Sequence, residues 1–179
     1  MIIALFGVSC VGKTTIGKII SDELKYDFYD LDAELVSYYS ESIDSIQNSC
    51  LTRHEYDGKK GIVLKHILDK CANNTIIAVS PIYYTRSYKH LFKAKNVFSV
   101  EIQDSPENIA KRVIYTDEND NLIENPDRSI KDEIKDTKFF ISKYKRAFSK
   151  IENKYCINGK NAEEAAKEII ETIILNHLV

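Results

Sequence analysis

The sequence predicts an α/β domain in which a mostly parallel sheet carries helices on both faces. Short apolar runs fall at residues 1–6, 75–80 and 96–102. Between them apolar residues return at helical spacing, as in Ile16, Ile19, Ile20 and Leu24. No internal repeat or low-complexity linker interrupts the alternation. Strands that alternate with helices form a mostly parallel sheet covered on both faces, and ligands then bind beyond the carboxyl ends of the strands.

Each element has its own signal. Residues 1–6 are rich in strand formers and end at Gly7, which reads as a buried strand. A helix follows from Lys13, then a second strand over 26–31 and a helix over 32–39. A longer helix runs through Val63, Leu64, Ile67 and Leu68. The third strand, 75–80, stops at Pro81, and the fourth covers 96–102. Ser105 and Pro106 are an N-cap and first-turn pair, opening a helix expected through Ile109, Val113 and Ile114. Residues 138–150 mix five basic residues with Phe139, Phe140, Tyr144 and Phe148, which predicts a helix with a packed aromatic face and a solvated charged one. A short fifth strand at 154–157 closes in an Asn158-Gly159 turn. Asn161, with Glu164 three residues on, caps a last helix whose core face is Ala165, Ala166, Ile169, Ile170, Ile173 and Ile174.

Composition narrows the function classes. A length of 179 residues suits one domain (1–179, with a lid segment at about 112–130), and such a chain needs neither disulfides nor a structural metal. A net charge of −2 lacks the basic footprint of a general nucleic-acid binder. No apolar run reaches the ~20 residues of a membrane span, and no basic leader precedes Gly7, so a soluble, cytoplasmic protein is expected. The four cysteines form no CxxC pair and the four histidines do not gather near them. Zinc is therefore not expected, and the thiols are read as reduced, small apolar residues.

The chemistry starts at Gly7-Val8-Ser9-Cys10-Val11-Gly12-Lys13-Thr14, which matches G-x-x-x-x-G-K-[ST] between an apolar strand and an amphipathic helix. Glycines let the backbone turn tightly enough for several N–H groups to face one phosphate group. Lys13 brings a compact charge to the β- and γ-phosphates, and the Thr14 hydroxyl suits Mg²⁺. The positive end of the helix dipole falls at the same point. Nucleotide phosphate binding follows. Phosphoryl transfer also needs an acid to hold the hydrated metal. The third strand ends without one, so the candidates are Asp30 and Asp32 after the second strand, or Glu101 and Asp104 at the end of the fourth. Either of the first two could instead cap the following helix.

The loop with Thr15-Ile16-Gly17 after it, then Phe28-Tyr29-Asp30-Leu31-Asp32, resembles the shikimate kinase family, part of the wider nucleoside-monophosphate-kinase-like group. That family reads G-x-x-x-x-G-K-[ST]-T-x-G and then F-x-D-x-D. The resemblance implies a three-layer P-loop fold, with five parallel strands in the order 2-3-1-4-5, helices on both faces and a mobile lid. It implies ATP with Mg²⁺, a small hydroxyl-bearing acceptor, and a monomer or weak dimer without nucleic acid or membrane. Carried onto this chain, Gly7, Ser9, Cys10, Val11, Gly12, Lys13, Thr14 and Thr15 cradle the nucleotide, and Lys13 also stabilises the transferring group. Thr14 and Asp30 hold the metal. Asp32 contacts the acceptor hydroxyls as orienter or base. Arg53 matches an arginine that takes the acceptor's carboxylate, and Ser80 lies at the acceptor.

Several positions depart from the family pattern. Ser80-Pro81 replaces a Gly-Gly pair after the third strand. A second arginine, four residues before an aromatic, falls at Tyr144 before Phe148, with Lys143 and Arg146 beside it. The family's lid is short and basic, whereas here 116–127 hold Asp117, Glu118, Asp120, Glu124 and Asp127 and no basic residue. These acids fail as a calcium loop, because Leu122 and Arg128 occupy the positions that need Gly and Glu. They predict a solvated, mobile lid. Arg112 and Arg128 are the candidate lid cations, Arg112 closing on the phosphates. Residues 81–86 are a candidate acceptor wall. The expectation is an ATP-dependent, shikimate kinase-like phosphotransferase. A kinase for gluconate, a nucleoside or a nucleotide, or a non-catalytic ATP-binding module, fits the same residues.

Overall fold

The computed structural model describes residues 1–71, 74–84, 86, 91, 96–124 and 128–175. In chain order its first half holds β1 (Ile2–Phe6), α1 (Lys13–Leu24), β2 (Asp27–Asp30), α2 (Leu31–Tyr39), α3 (Ile43–Asn48), α4 (Arg53–Lys70) and β3 (Thr75–Ala78). The second half holds β4 (Val97–Gln103), α5 (Pro106–Ala110), β5 (Tyr115–Thr116), β6 (Leu122–Ile123), α6 (Ile130–Tyr144), β7 (Asn153–Cys156) and α7 (Ala162–Ile169).

Five parallel strands lie in the order β2-β3-β1-β4-β7, the expected 2-3-1-4-5 counted within the sheet. β1 is central, with Ile3 beside Ile76 on one side and Phe98 on the other. All of β1 is buried, which is why it reads as an unbroken apolar run instead of an alternating one. Helix α1 crosses this layer on Gly17, where a Cβ would stand 2.7 Å from the Phe28 ring and 3.2 Å from Leu5. The capping box of α7 forms as expected, Asn161 accepting from the Glu164 N–H while Glu164 reaches back to the Asn161 N–H. The chain then continues as a π-helical segment, Ile170–Ile174, that keeps Ile174 buried.

Two expectations need correction. Helix α5 stops at Ala110, because Arg112 and Val113 turn their N–H groups onto Ile109 and Ala110 in tight three-residue turns. Val113 and Ile114, β-branched residues that favour extended backbone, lead instead into the β5–β6 hairpin. The aromatic face expected over 138–150 is divided. Helix α6 ends at Tyr144, whose ring stacks on Phe148 with 5.9 Å between centroids, while Phe139 and Phe140 are exposed. The buried row of α6 is Glu133, Thr137 and Tyr144, spaced by one helical turn and then two. The acidic segment contains the β5–β6 hairpin. The Asp117 carboxylate accepts from the Asn119 and Asn121 N–H groups, and the tip docks on α3, with Asp120 accepting from the Ile43 N–H (2.9 Å) and Glu118 O from the Ser42 hydroxyl (2.6 Å). Asp127 and Thr85, expected in the lid and the acceptor wall, lie outside the described residues.

Gly17→Ala is expected to lower stability by about 1–3 kcal/mol through overpacking against Phe28 and Leu5. Urea unfolding should show a lower midpoint with an unchanged slope.

Candidate active site

The turn from β1 into α1 builds the phosphate end. Gly7, Cys10 and Gly12 have positive φ (144°, 60° and 112°), and a Cβ at Gly7 would meet the Ile102 carbonyl at 2.5 Å. The Lys13 side chain folds back over the turn and donates to Gly7 O (3.1 Å) and Val8 O (2.9 Å). Burial lowers its pKa to about 8, against the pull of Asp32 and Asp30. A cavity of about 430 Å³ opens above, lined by Ser9, Cys10, Gly12, Lys13, Thr14 and Thr15 together with Asp30, Asp32, Ser80 and Arg112. Gly7 and Val11 do not line it. Gly7 shapes the turn, and Val11 is buried and offers its carbonyl to Arg112 at 3.3 Å.

Asp30 caps the following helix and also meets the phosphate loop. Its Oδ1 caps α2 by accepting from the N–H groups of Asp32 and Ala33, and its Oδ2 accepts from the Thr14 hydroxyl at 2.5 Å. A hydroxyl and a carboxylate so placed suit a hard cation such as Mg²⁺, which keeps most of its shell as water and phosphate oxygen. Among the described residues no three His, Cys, Asp or Glu side chains gather into a metal cage. Glu101 and Asp104, the other candidate acids, are engaged elsewhere. Glu101 pairs with Lys154, and Asp104 accepts from Arg112 (2.6 Å), Asn108 and the Ser105 N–H. Burial opposes ionisation of Asp104, but those donors hold its carboxyl below the ordinary value. The pairing fixes Arg112 between the P-loop and a further cavity of about 200 Å³ lined by Ile157, Lys160, Asn161 and Ala162.

A second large cavity, about 490 Å³, adjoins the phosphate end. Asp32 lines both, as do Ser9, Cys10 and Pro81. Its floor is α4. Arg53 donates to Tyr144 Oη (2.8 Å) and Pro81 O (3.2 Å), and its Nε lies 3.1 Å from Asp57. Asp57 is fully buried, its other oxygen holding the Tyr83 and Tyr84 N–H groups at 3.0 Å each. The segment after β3 thus reaches the cavity wall through Pro81 and is pinned by Asp57. Arg53 and Tyr144 do come together. Ser80 sits on the phosphate side, its buried hydroxyl without a hydrogen-bond partner among the described residues. Arg128 pairs with Glu133 and Asp136 on α6 and lines the larger cavity.

Sequence reasoning missed Lys60, Asp57 and Glu133, all buried polar residues at this cavity or its wall. Arg53, Asp57 and Lys60 stand four and three residues apart, the spacing of one helix face, so the pattern was present once 53–70 was read as a single helix.

The family model described as shikimate kinase matches residues 9–174. The chain belongs to the shikimate kinase family. A curated shikimate kinase from Alkaliphilus oremlandii (strain OhILAs) is 48% identical over 44 residues, 25% of this chain and 26% of that protein, so the match spans about a quarter of that relative's length. The crystal structure of shikimate kinase from Aquifex aeolicus vf5 matches with a TM-score of 0.72 and 26% identity over 99% of both chains. Shikimate kinase from Acinetobacter baumannii, in complex with shikimate, gives a TM-score of 0.77 at 19% identity, covering 99% of this chain and 95% of that one, and speaks for the fold alone. No helix among the described residues is long and apolar enough to cross a membrane.

The lowered pKa of Lys13 has a sign that binding should reveal. Below about pH 8 the ammonium is charged, and between about 8 and its ordinary value the folded protein holds fewer protons than the unfolded chain, so this group adds stability as pH rises there. A polyphosphate beside it favours the charged form. Calorimetry of ATP binding in buffers of different ionisation enthalpy should show proton uptake at pH 8.5 that fades towards pH 6.5; proton release at pH 8.5 would contradict this account.

Proposed function

We propose that this member of the shikimate kinase family transfers the γ-phosphoryl of ATP to a hydroxyl of a small metabolite, with shikimate as the first acceptor to test. The observation that carries the reading is the position of Asp32 on the wall shared by the phosphate cavity and the α4 cavity. Phosphoryl transfer needs a donor site and an acceptor site that meet at one point, with a carboxylate there to take or orient the hydroxyl proton.

In this reading the P-loop backbone from Ser9 to Thr15 holds the phosphates, and Lys13 exchanges its carbonyl partners for the β- and γ-phosphate oxygens. Arg112, fixed by Asp104, stabilises charge on the phosphates, and the cavity between Arg112 and Asn161 takes the base of the nucleotide. Thr14 and Asp30 would hold Mg²⁺, which supplies charge neutralisation at the phosphates when bound. Asp32 orients the acceptor hydroxyl and receives its proton. Arg53 and the Tyr144 hydroxyl face an acidic or polar group at the far end of the acceptor, and Ser80 offers its unpaired hydroxyl beside the transferring group. The chain works as one kinase domain, with 112–130 as its lid, in the cytoplasm.

Release of ADP from ATP and Mg²⁺ should rise far above background with shikimate. A rise only with another hydroxyl compound would keep the phosphotransferase and change the acceptor. Asp32→Asn should lower kcat by about 10²–10⁴-fold with ATP affinity little changed, whereas an ATP-binding module without catalysis would be indifferent to it. Thr14→Ala should raise the Mg²⁺ concentration needed for half-maximal rate more than it raises the KM for ATP.

A further inference from the structure

Three cations line the α4 cavity, and two are well matched. Arg53 has Asp57, Tyr144 and a backbone carbonyl, and Arg128 has Glu133 and Asp136. Lys60 differs. It is 4% exposed, yet its ion-pair partner, Asp32 Oδ1, lies 3.7 Å from Nζ, which is longer than a hydrogen bond. Among the described residues neither the Lys60 ammonium nor the Asp32 carboxylate is assigned a side-chain hydrogen bond to any other group. Lys60 lies over the Tyr56 ring at 4.6 Å, and Arg53 approaches the same ring at 5.2 Å, so Tyr56 spaces the two charges along α4. Burial pushes the Lys60 pKa down while Asp32 opposes it. A buried ammonium is costly unless its donors are used, and an apolar side chain of similar length would fill this place more cheaply.

A donor and an acceptor therefore stand side by side where the two cavities meet, paired loosely with each other at 3.7 Å and with capacity left for a ligand. Their complement is a compound with two adjacent oxygens, one a hydroxyl that donates and the other an oxygen that accepts. We propose that Lys60 is an acceptor-binding residue that donates to the oxygen neighbouring the hydroxyl taken by Asp32, so that the Asp32–Lys60 pair selects acceptors with vicinal hydroxyls. The inference rests on the phosphotransferase reading and deepens it. Lys60 is attracted to the Asp32 carboxylate from the α4 cavity, and Lys13 to the same carboxylate from the phosphate side.

The test is steady-state kinetics of wild type, Lys60→Met and Lys60→Arg with shikimate, or the diol of the panel that is turned over, and with its analogue lacking the hydroxyl next to the phosphorylated one. Lys60→Met should raise the KM for the diol at least tenfold and leave the KM for ATP within twofold. Lys60→Arg should recover part of the loss. The deoxy analogue should be poor with wild type and no poorer with Lys60→Met, a coupling that a merely structural lysine would not produce. A diol KM within twofold of wild type in Lys60→Met, or equal losses on diol and analogue, would overturn the proposal. If Lys60→Met fails to fold, wild type decides alone: equal kcat/KM for diol and analogue overturns it, and a tenfold preference for the diol supports it. Absence of phosphoryl transfer by wild type to every acceptor would fell the phosphotransferase reading and this inference together, whereas transfer with an indifferent Lys60→Met fells only the inference.

Discussion

The turn between β1 and α1 is the constraint on which the rest of the site depends. Its backbone must pass so close to Ile102 that only a residue without a Cβ fits at position 7, and it must present a helix N-terminus without acidic residues in the first turn. Both demands are met by burying β1 at the centre of the sheet, where its hydrogen bonds to β3 and β4 fix the height at which the turn begins. Lys13 then closes the turn on itself through two carbonyls. The cost is a desolvated ammonium, and the nearby carboxylates Asp32 and Asp30 offset part of it.

From that anchor the site extends through charges held by other elements. Asp30 links α1 to α2 by capping one helix and meeting the hydroxyl of the other. Asp104 does the same for the opposite flank, holding Arg112 beside the P-loop. Beside the larger cavity α4 carries a row of alternating charge (Arg53, Asp57, Lys60), of which the fully buried Asp57 ties down the backbone after β3. Tyr144 receives a hydrogen bond from Arg53, so the two form one polar unit at the end of the cavity. Lid and α3 meet through Asp120 and Ser42, which ties the acidic hairpin to the edge of the same cavity.

Much of this was legible in the residues. The strand-loop-helix context of the P-loop, the five strands, the Ser105-Pro106 start of α5 and the capping box of α7 are local signals, each set by neighbours a few positions away. The errors were also local in origin. Val113 and Ile114 continue an apolar spacing that looks helical, but their β-branched side chains and the turns after Ala110 release the chain into a hairpin. Phe139 and Phe140 read as core because they are aromatic, yet the buried row of α6 runs through Glu133, Thr137 and Tyr144.

By itself the sequence determined the fold class, the phosphate-binding turn and the pair Asp30 and Asp32, because glycine geometry, helix capping and strand burial act over short stretches of chain. Which groups share the α4 cavity was decided by tertiary structure. Arg53 meets Tyr144 across 91 positions and Arg112 reaches Val11 across 101. Lys60 comes within 3.7 Å of Asp32 only because α4 packs beside α2. Such pairings depend on how helices lie against one another, and a buried ammonium differs from one on a surface only once that packing has covered it.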